Sequence, residues 1–183
     1  GPAWLEEMMR DFTALGGIGV LTLVTFAAAG YLMTTGKKHA ALAVLVAVGG
    51  GILISTLVKE FVDRPRPDLV PHGSYVTSAS FPSGHSMMAA TVYLTLAAML
   101  VRVQPLWRTR LLILCSAVFV VLLVGVSRVY LGVHWPTDVL AGWSVGAGWA
   151  IGCWLVTLWL QRRGAVEPEA NMPQNSVPPS AGQ

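Results

Sequence analysis

Charge is what this sequence is short of. Asp, Glu, Lys and Arg make up 11% of its 183 residues, against 54% hydrophobic residues. A soluble domain carries about 25% charged residues, so a water-facing surface cannot be built from this inventory. Cysteine is scarce as well. Cys115 and Cys153 lie inside apolar runs and match no metal-ligand spacing, so they read as small core residues and not as a disulfide framework. No cleavable leader is expected within residues 1–11, which are mixed and acidic, without a basic region followed by an apolar one. Alternation of polar and apolar residues, the mark of a membrane barrel strand, is missing too. These shortages point to lipid as the solvent.

What the chain has instead is five stretches free of Asp, Glu, Lys and Arg, at 15–33, 40–58, 86–101, 111–126 and 139–160. Crossing the hydrocarbon layer takes about 20 apolar residues, with a range of roughly 17 to 25. The third run is short, but a helix started within residues 82–85 brings it to length. Backbone polar groups in lipid must be satisfied within the segment, so these runs are expected to be helices. The fold class that follows is all-α, a polytopic transmembrane bundle of about five spans. Ahead of it, Trp4, Leu5, Met8, Met9 and Phe12 share one helical face, with Glu6, Glu7, Arg10 and Asp11 mostly on the other. Residues 1–14 are therefore expected to form a short interfacial helix. Residues 15–160 form the membrane domain. Residues 161–183, with Pro168, Pro173, Pro178 and Pro179 among Asn, Gln and Ser, form a tail expected to be disordered and cytoplasmic. On the last span, Gly142/Gly146 and Gly148/Gly152 have the small-residue spacing of close helix packing.

The loops set the orientation. Lys37 and Lys38, then Arg102, Arg108 and Arg110, then Arg162 and Arg163 have no acidic neighbours within their loops, which places them on the cytoplasmic side. Lys59, Arg64, Arg66 and Arg128 are mixed with Glu60, Asp63, Asp68 and Asp138 and belong outside. The N-terminus then lies outside, which predicts a further span upstream and six in the full-length protein.

The outer loops carry the chemistry. Lys59 to Pro67 holds two arginines in a proline-stiffened stretch, and a guanidinium fork matches phosphate oxygens. Phe81-Pro82-Ser83-Gly84-His85-Ser86 directly precedes an apolar helix. Ser83 suits the N-cap, Gly84 lets a ligand approach the backbone, and the free amides of a helix N-terminus attract anions. In the third cluster, Ser127-Arg128 is followed by His134-Trp135-Pro136-Thr137-Asp138. Pro136 suits the first helical position, and the four-residue spacing lets Asp138 reach the His134 imidazole. As single features these read equally as a snorkelling flank, a cap and a dipole-favoured carboxylate. Together, on one membrane face, they describe a phosphate site. No metal site is visible, and none is expected. His39 and His72 read as loop residues remote from any ligand set.

These clusters resemble the signature of the type 2 phosphatidic acid phosphatase superfamily, in its bacterial membrane branch: K-x-x-x-x-x-x-R-P, then P-S-G-H, then S-R-x-x-x-x-x-H-x-x-x-D. Lys59 with Arg66-Pro67, Pro82-Ser83-Gly84-His85, and Ser127-Arg128 with His134 and Asp138 match every defined position in order. The resemblance implies a lipid phosphate phosphatase that needs no cofactor. His134 would attack phosphorus to give a phosphohistidine. Asp138 would orient His134, and His85 would protonate the leaving oxygen and then help activate water. Lys59, Arg66, Arg128, Ser83 and the Gly84 amide would hold the phosphate oxygens. Arg64 falls at an undefined position. The implied partners are the bilayer and a membrane lipid phosphate, with phosphatidate, phosphatidylglycerophosphate and undecaprenyl diphosphate as candidates. No nucleic acid is implied, and an oligomer is allowed but not required. The implied location is a bacterial cytoplasmic membrane with the site on its extracytoplasmic face. A phosphotransferase using the same intermediate, or a non-catalytic lipid-phosphate binder, are the alternatives.

Overall fold

A computed structural model of the chain describes residues 1–62, 64–67 and 79–164. These fold as six helices: α1 (Ala3–Ala14), α2 (Ile18–Thr34), α3 (Lys38–Phe61), α4 (Gly84–Val103), α5 (Trp107–Tyr130) and α6 (Pro136–Arg162). Five helical stretches are long and apolar enough to cross a membrane, the first being α1 and α2 taken together across a break at the glycine pair Gly16-Gly17. The described residues contain no strand, so the all-α membrane bundle read from the apolar runs is the architecture. α6 continues through Gln161 and Arg162, two residues into the expected tail. The remainder of that tail from residue 165, His72, and most of the 68–81 loop lie outside the described residues.

α4 is the central helix. It packs most extensively against α6 and α5, then against α3, and touches α2. The sorting of side chains is that of a protein dissolved in lipid. Large residues such as Leu23, Phe26, Leu112, Phe119 and Val156 are exposed, while the interior is rich in Ala29, Ala41, Ala47, Ala89, Ala90, Ala97 and Ala150. Lipid tails are as apolar as leucine, so burying large side chains offers no advantage, and close contact comes from small ones. Gly142 and Gly146 are the clearest instance. A Cβ on Gly142 would sit 2.8 Å from the Ser83 carbonyl oxygen, and one on Gly146 would collide with the Met87 carbonyl. Gly148 and Gly152 differ from the expectation: they face open space, because they lie on the side of α6 away from α4. Two tryptophans fill hollows left by other glycines. Trp149 covers Gly50 and donates to the Ala47 carbonyl at 2.7 Å, and Trp143 covers Gly125 and donates to the Val121 carbonyl at 3.1 Å. Cys115 is exposed and Cys153 only partly buried, so neither is the core residue its apolar run suggested. His39 lies in the first turn of α3 and not in a loop.

Helix parity brings three connections to one end of the bundle: α1 to α2, α3 to α4, and α5 to α6. Lys37, Lys38, Arg102, Arg108 and Arg110 fall at the other end. Gly146→Ala is expected to lower the melting temperature in detergent by several degrees, since overpacking a tight contact costs about 1–3 kcal/mol. Gly148→Ala, facing open space, is expected to leave it unchanged. Equal effects at the two positions would contradict the packing described.

Candidate active site

Pro136 opens α6, so Trp135 is its N-cap, His134 immediately precedes it and Asp138 lies in its first turn. This is the local arrangement the sequence predicts. The Asp138 carboxylate is fully buried and accepts hydrogen bonds from well beyond its own helix. Arg64 Nη1 donates to Oδ1 at 2.9 Å, Ser80 Oγ donates to Oδ2 at 2.5 Å, and its own N-cap amide, Trp135 N, donates to Oδ2 at 3.0 Å. Arg64 Nη1 also reaches Thr137 Oγ1 at 2.8 Å, and its guanidinium lies 5.6 Å from the Trp135 ring centre. Arg64 is thus a carboxylate clamp, a role its undefined motif position did not reveal.

His134 is buried. Arg66 Nη1 approaches its Nε2 to 3.2 Å and donates to the Val133 carbonyl at 2.9 Å. A guanidinium carries donors only, so Nε2 is the acceptor and the proton of the neutral ring sits on Nδ1. Burial pushes His134 down to about 3, and the nearby Arg66, Arg128 and Lys59 cations push the same way against the raising effect of Asp138. At neutral pH the ring is a neutral base with its Nε2 lone pair directed toward those cations.

α4 begins beside it. Ser83 is the N-cap, buried, with its Oγ 2.9 Å from Ser86 Oγ and accepting from Ser86 N at 3.4 Å. Its amide donates to the Asp138 backbone carbonyl at 3.0 Å, which ties the start of α4 to α6. A Cβ at Gly84 would lie 3.3 Å from Lys59 Nζ, so the ammonium at the end of α3 sits against the first turn of α4. Arg128, from the last turn of α5, donates to Thr13 Oγ1 of α1 at 3.0 Å, while its buried Nε has no partner among the described residues. His85 lies under the α1–α2 break, where a Cβ on Gly16 would stand 3.1 Å from its carbonyl oxygen. Lys59, Arg66 and Arg128 all lie close enough to act electrostatically on His85 as well as on His134.

The predicted residues therefore gather at one end of the bundle. Among the described residues no group of three His, Cys, Asp or Glu side chains comes together. Sequence reasoning missed Ser80, Thr137 and Thr13. Ser80 and Asp138 are 58 residues apart in the chain, and no periodicity links a loop serine to a helix start.

Cations, a helix N-terminus and a neutral imidazole gathered at one end of the bundle suit a tetrahedral anion. Comparison with known proteins agrees. Residues 40–162, well over half of the chain, match the family described as the PAP2 superfamily. The chain belongs to that superfamily. A phosphatidylglycerophosphatase B from Bacillus subtilis (strain 168) is 41% identical over 145 residues, covering 78% of this chain and 70% of the relative. An undecaprenyl-diphosphatase from Sulfolobus acidocaldarius is 41% identical over 101 residues, 52% of this chain and 45% of that one. The crystal structure of a transmembrane PAP2-type phosphatidylglycerolphosphate phosphatase from Bacillus subtilis aligns with a TM-score of 0.80 at 36% identity, covering 88% of this chain and 81% of the other. Aquifex aeolicus LpxE aligns at 0.65 and 25% identity, covering 85% and 88%. This PAP2 chain is an integral membrane phosphatase of lipid phosphates or diphosphates.

Protonation of His134 couples to folding. Its folded value lies below that of an exposed imidazole, about 6.5. Between the two the unfolded chain binds the extra proton, so the neutral ring's contribution to stability is complete above about pH 6.5 and is lost as pH falls toward 3. The melting-temperature advantage of wild type over His134→Gln is expected to shrink between about pH 7.5 and about pH 4.5. An advantage constant over that range would mean that the ring is not held neutral.

Proposed function

We propose that this enzyme hydrolyses a lipid phosphomonoester or diphosphate through a phosphohistidine on His134, with phosphatidylglycerophosphate as the foremost substrate. The observation that carries the reading is the state of His134: neutral, its Nδ1 protonated, and its Nε2 within 3.2 Å of a guanidinium that would bind phosphate oxygens. Substrate phosphate would draw Arg66 onto its oxygens and leave Nε2 free to attack phosphorus in line with the lipid oxygen. Lys59, Arg66 and Arg128, with Ser83 and the Gly84 amide, would take up the charge on the equatorial oxygens, the main demand of phosphoryl transfer. These cations also repel a metal ion from the same place. His85 would give its proton to the departing lipid oxygen and then accept one from the water that cleaves the N–P bond. The substrate preference is supported by the similarity to a phosphatidylglycerophosphatase B across 78% of the chain.

The orientation proposed is a site on the extracytoplasmic face of a bacterial cytoplasmic membrane. Its support is that Lys37, Lys38, Arg102, Arg108, Arg110, Arg162 and Arg163 fall at the end of the bundle away from the site.

The test is phosphate release in detergent with EDTA present, across phosphatidate, phosphatidylglycerophosphate and undecaprenyl diphosphate. Wild type is expected to release phosphate, fastest from phosphatidylglycerophosphate, and His134→Ala to lose about 10³-fold or more in kcat. Rapid quenching with lipid labelled in its phosphate is expected to leave acid-labile label on the peptide carrying His134. Undiminished release by His134→Ala would end this reading of the mechanism.

A further inference from the structure

Asp138 lies one turn after His134, yet its nearer oxygen remains 3.6 Å from His134 Nδ1, outside hydrogen-bonding range. The pair that the motif places together is within ion-pair distance but shares no hydrogen bond. Ser80 stands beside both. Its Oγ is 3.4 Å from His134 Nδ1 and 2.5 Å from Asp138 Oδ2, and the residue is fully buried.

The direction of each bond follows from the groups present. Arg66 can only donate, so His134 Nε2 accepts and Nδ1 carries the proton. The ionised Asp138 can only accept, so the Ser80 hydroxyl hydrogen points to Oδ2, at the short distance usual for a hydroxyl on a carboxylate. The lone pairs of Ser80 Oγ are then left facing the Nδ1 proton. Donors run one way along the chain Arg66, His134, Ser80, Asp138, and bonds so aligned strengthen one another. Ser80 is itself held in place: its amide donates to the Arg64 carbonyl at 2.9 Å, and the Arg64 guanidinium holds the other oxygen of the same carboxylate.

We propose that Ser80 is a positioning residue of the PAP2 reaction here, the hydroxyl that, bonded to Asp138, joins it in fixing the tautomer and orientation of His134. The proposal rests on His134 being the nucleophile. As Nε2 bonds to phosphorus and the P–O bond to the lipid breaks, the ring becomes cationic and Nδ1–H becomes a stronger donor. The developing charge is met by the Asp138 carboxylate and by the Ser80 hydroxyl bonded to it, and no proton leaves Nδ1.

Ser80→Ala removes the hydroxyl without adding bulk, and Asp138 keeps Arg64 and the Trp135 amide as donors, so the variant is expected to fold. With dioleoyl phosphatidate in detergent micelles, kcat is expected to fall about tenfold to a hundredfold, the span of coupling energies between contacting groups, with KM within about threefold of wild type. Asp138→Asn keeps the size of the side chain. In that background the further loss from Ser80→Ala is expected to be under about threefold, because the two residues act as one unit. An unchanged kcat in the single variant, a loss confined to KM, or losses that multiply in the double variant would overturn the proposal. The labelled adduct separates this from the larger reading. If label is trapped on His134 and the losses multiply, Ser80 alone is wrong. If no label is trapped but the losses merge, the nucleophile assignment fails and the proposal falls with it, while the coupling of Ser80 to Asp138 stands.

Discussion

A buried carboxylate has to find donors, and Asp138 finds them on separate parts of the chain. Arg64 comes from the connection after α3, Ser80 from just before α4, and the Trp135 amide from the start of its own helix. Removing a charge from water costs several kcal/mol per ion unless its lone pairs are filled. The fold can therefore bury Asp138 only if Arg64 and Ser80 close around it. Their closing brings Lys59 and Arg66 from one side and Ser83, Gly84 and His85 from another into the neighbourhood of His134. The backbone repeats the lesson: Ser83 N donates to the Asp138 carbonyl, so the anion-attracting end of α4 is registered against the start of α6.

That registration depends on how closely the helices can pack. In lipid there is little to gain by hiding leucines, and the chain leaves them outside. α6 meets α4 through Gly142 and Gly146, where even a methyl group would strike the Ser83 and Met87 carbonyls. The glycines thus set the depth at which His134 and Asp138 meet the first turn of α4. The indoles of Trp143 and Trp149 close the gaps at Gly125 and Gly50 while satisfying their own N–H groups on helix carbonyls.

The parts of the site legible in the sequence are those whose residue type is dictated by phosphate chemistry and whose spacing is local. Lys59, Arg66, Ser83 and its cap, Arg128, and the His134–Asp138 pair around Pro136 all announced themselves in this way. Helix existence was equally legible, because an apolar run without charge has few other fates. What was not legible came from contacts between distant segments. Ser80 is an ordinary loop serine until α6 delivers a carboxylate to it, and Thr13 is unremarkable until Arg128 of α5 reaches it across 115 residues. The small-residue spacing at Gly148 and Gly152 is the same as at Gly142 and Gly146, yet only one pair meets a neighbour. Spacing marks a helical stripe without saying which stripe has company, and for the same reason Cys115 in an apolar run turned out to face outward.

The gathering of Lys59, Arg66 and Arg128 around His134 has a further consequence. Like charges brought together in a partly buried place repel each other, and Asp138 offsets that repulsion at Arg66. A tetrahedral anion seated among them would offset that repulsion. Any phosphate-like anion, product included, would on that ground tie the outer connections together and stabilise the bundle as it binds.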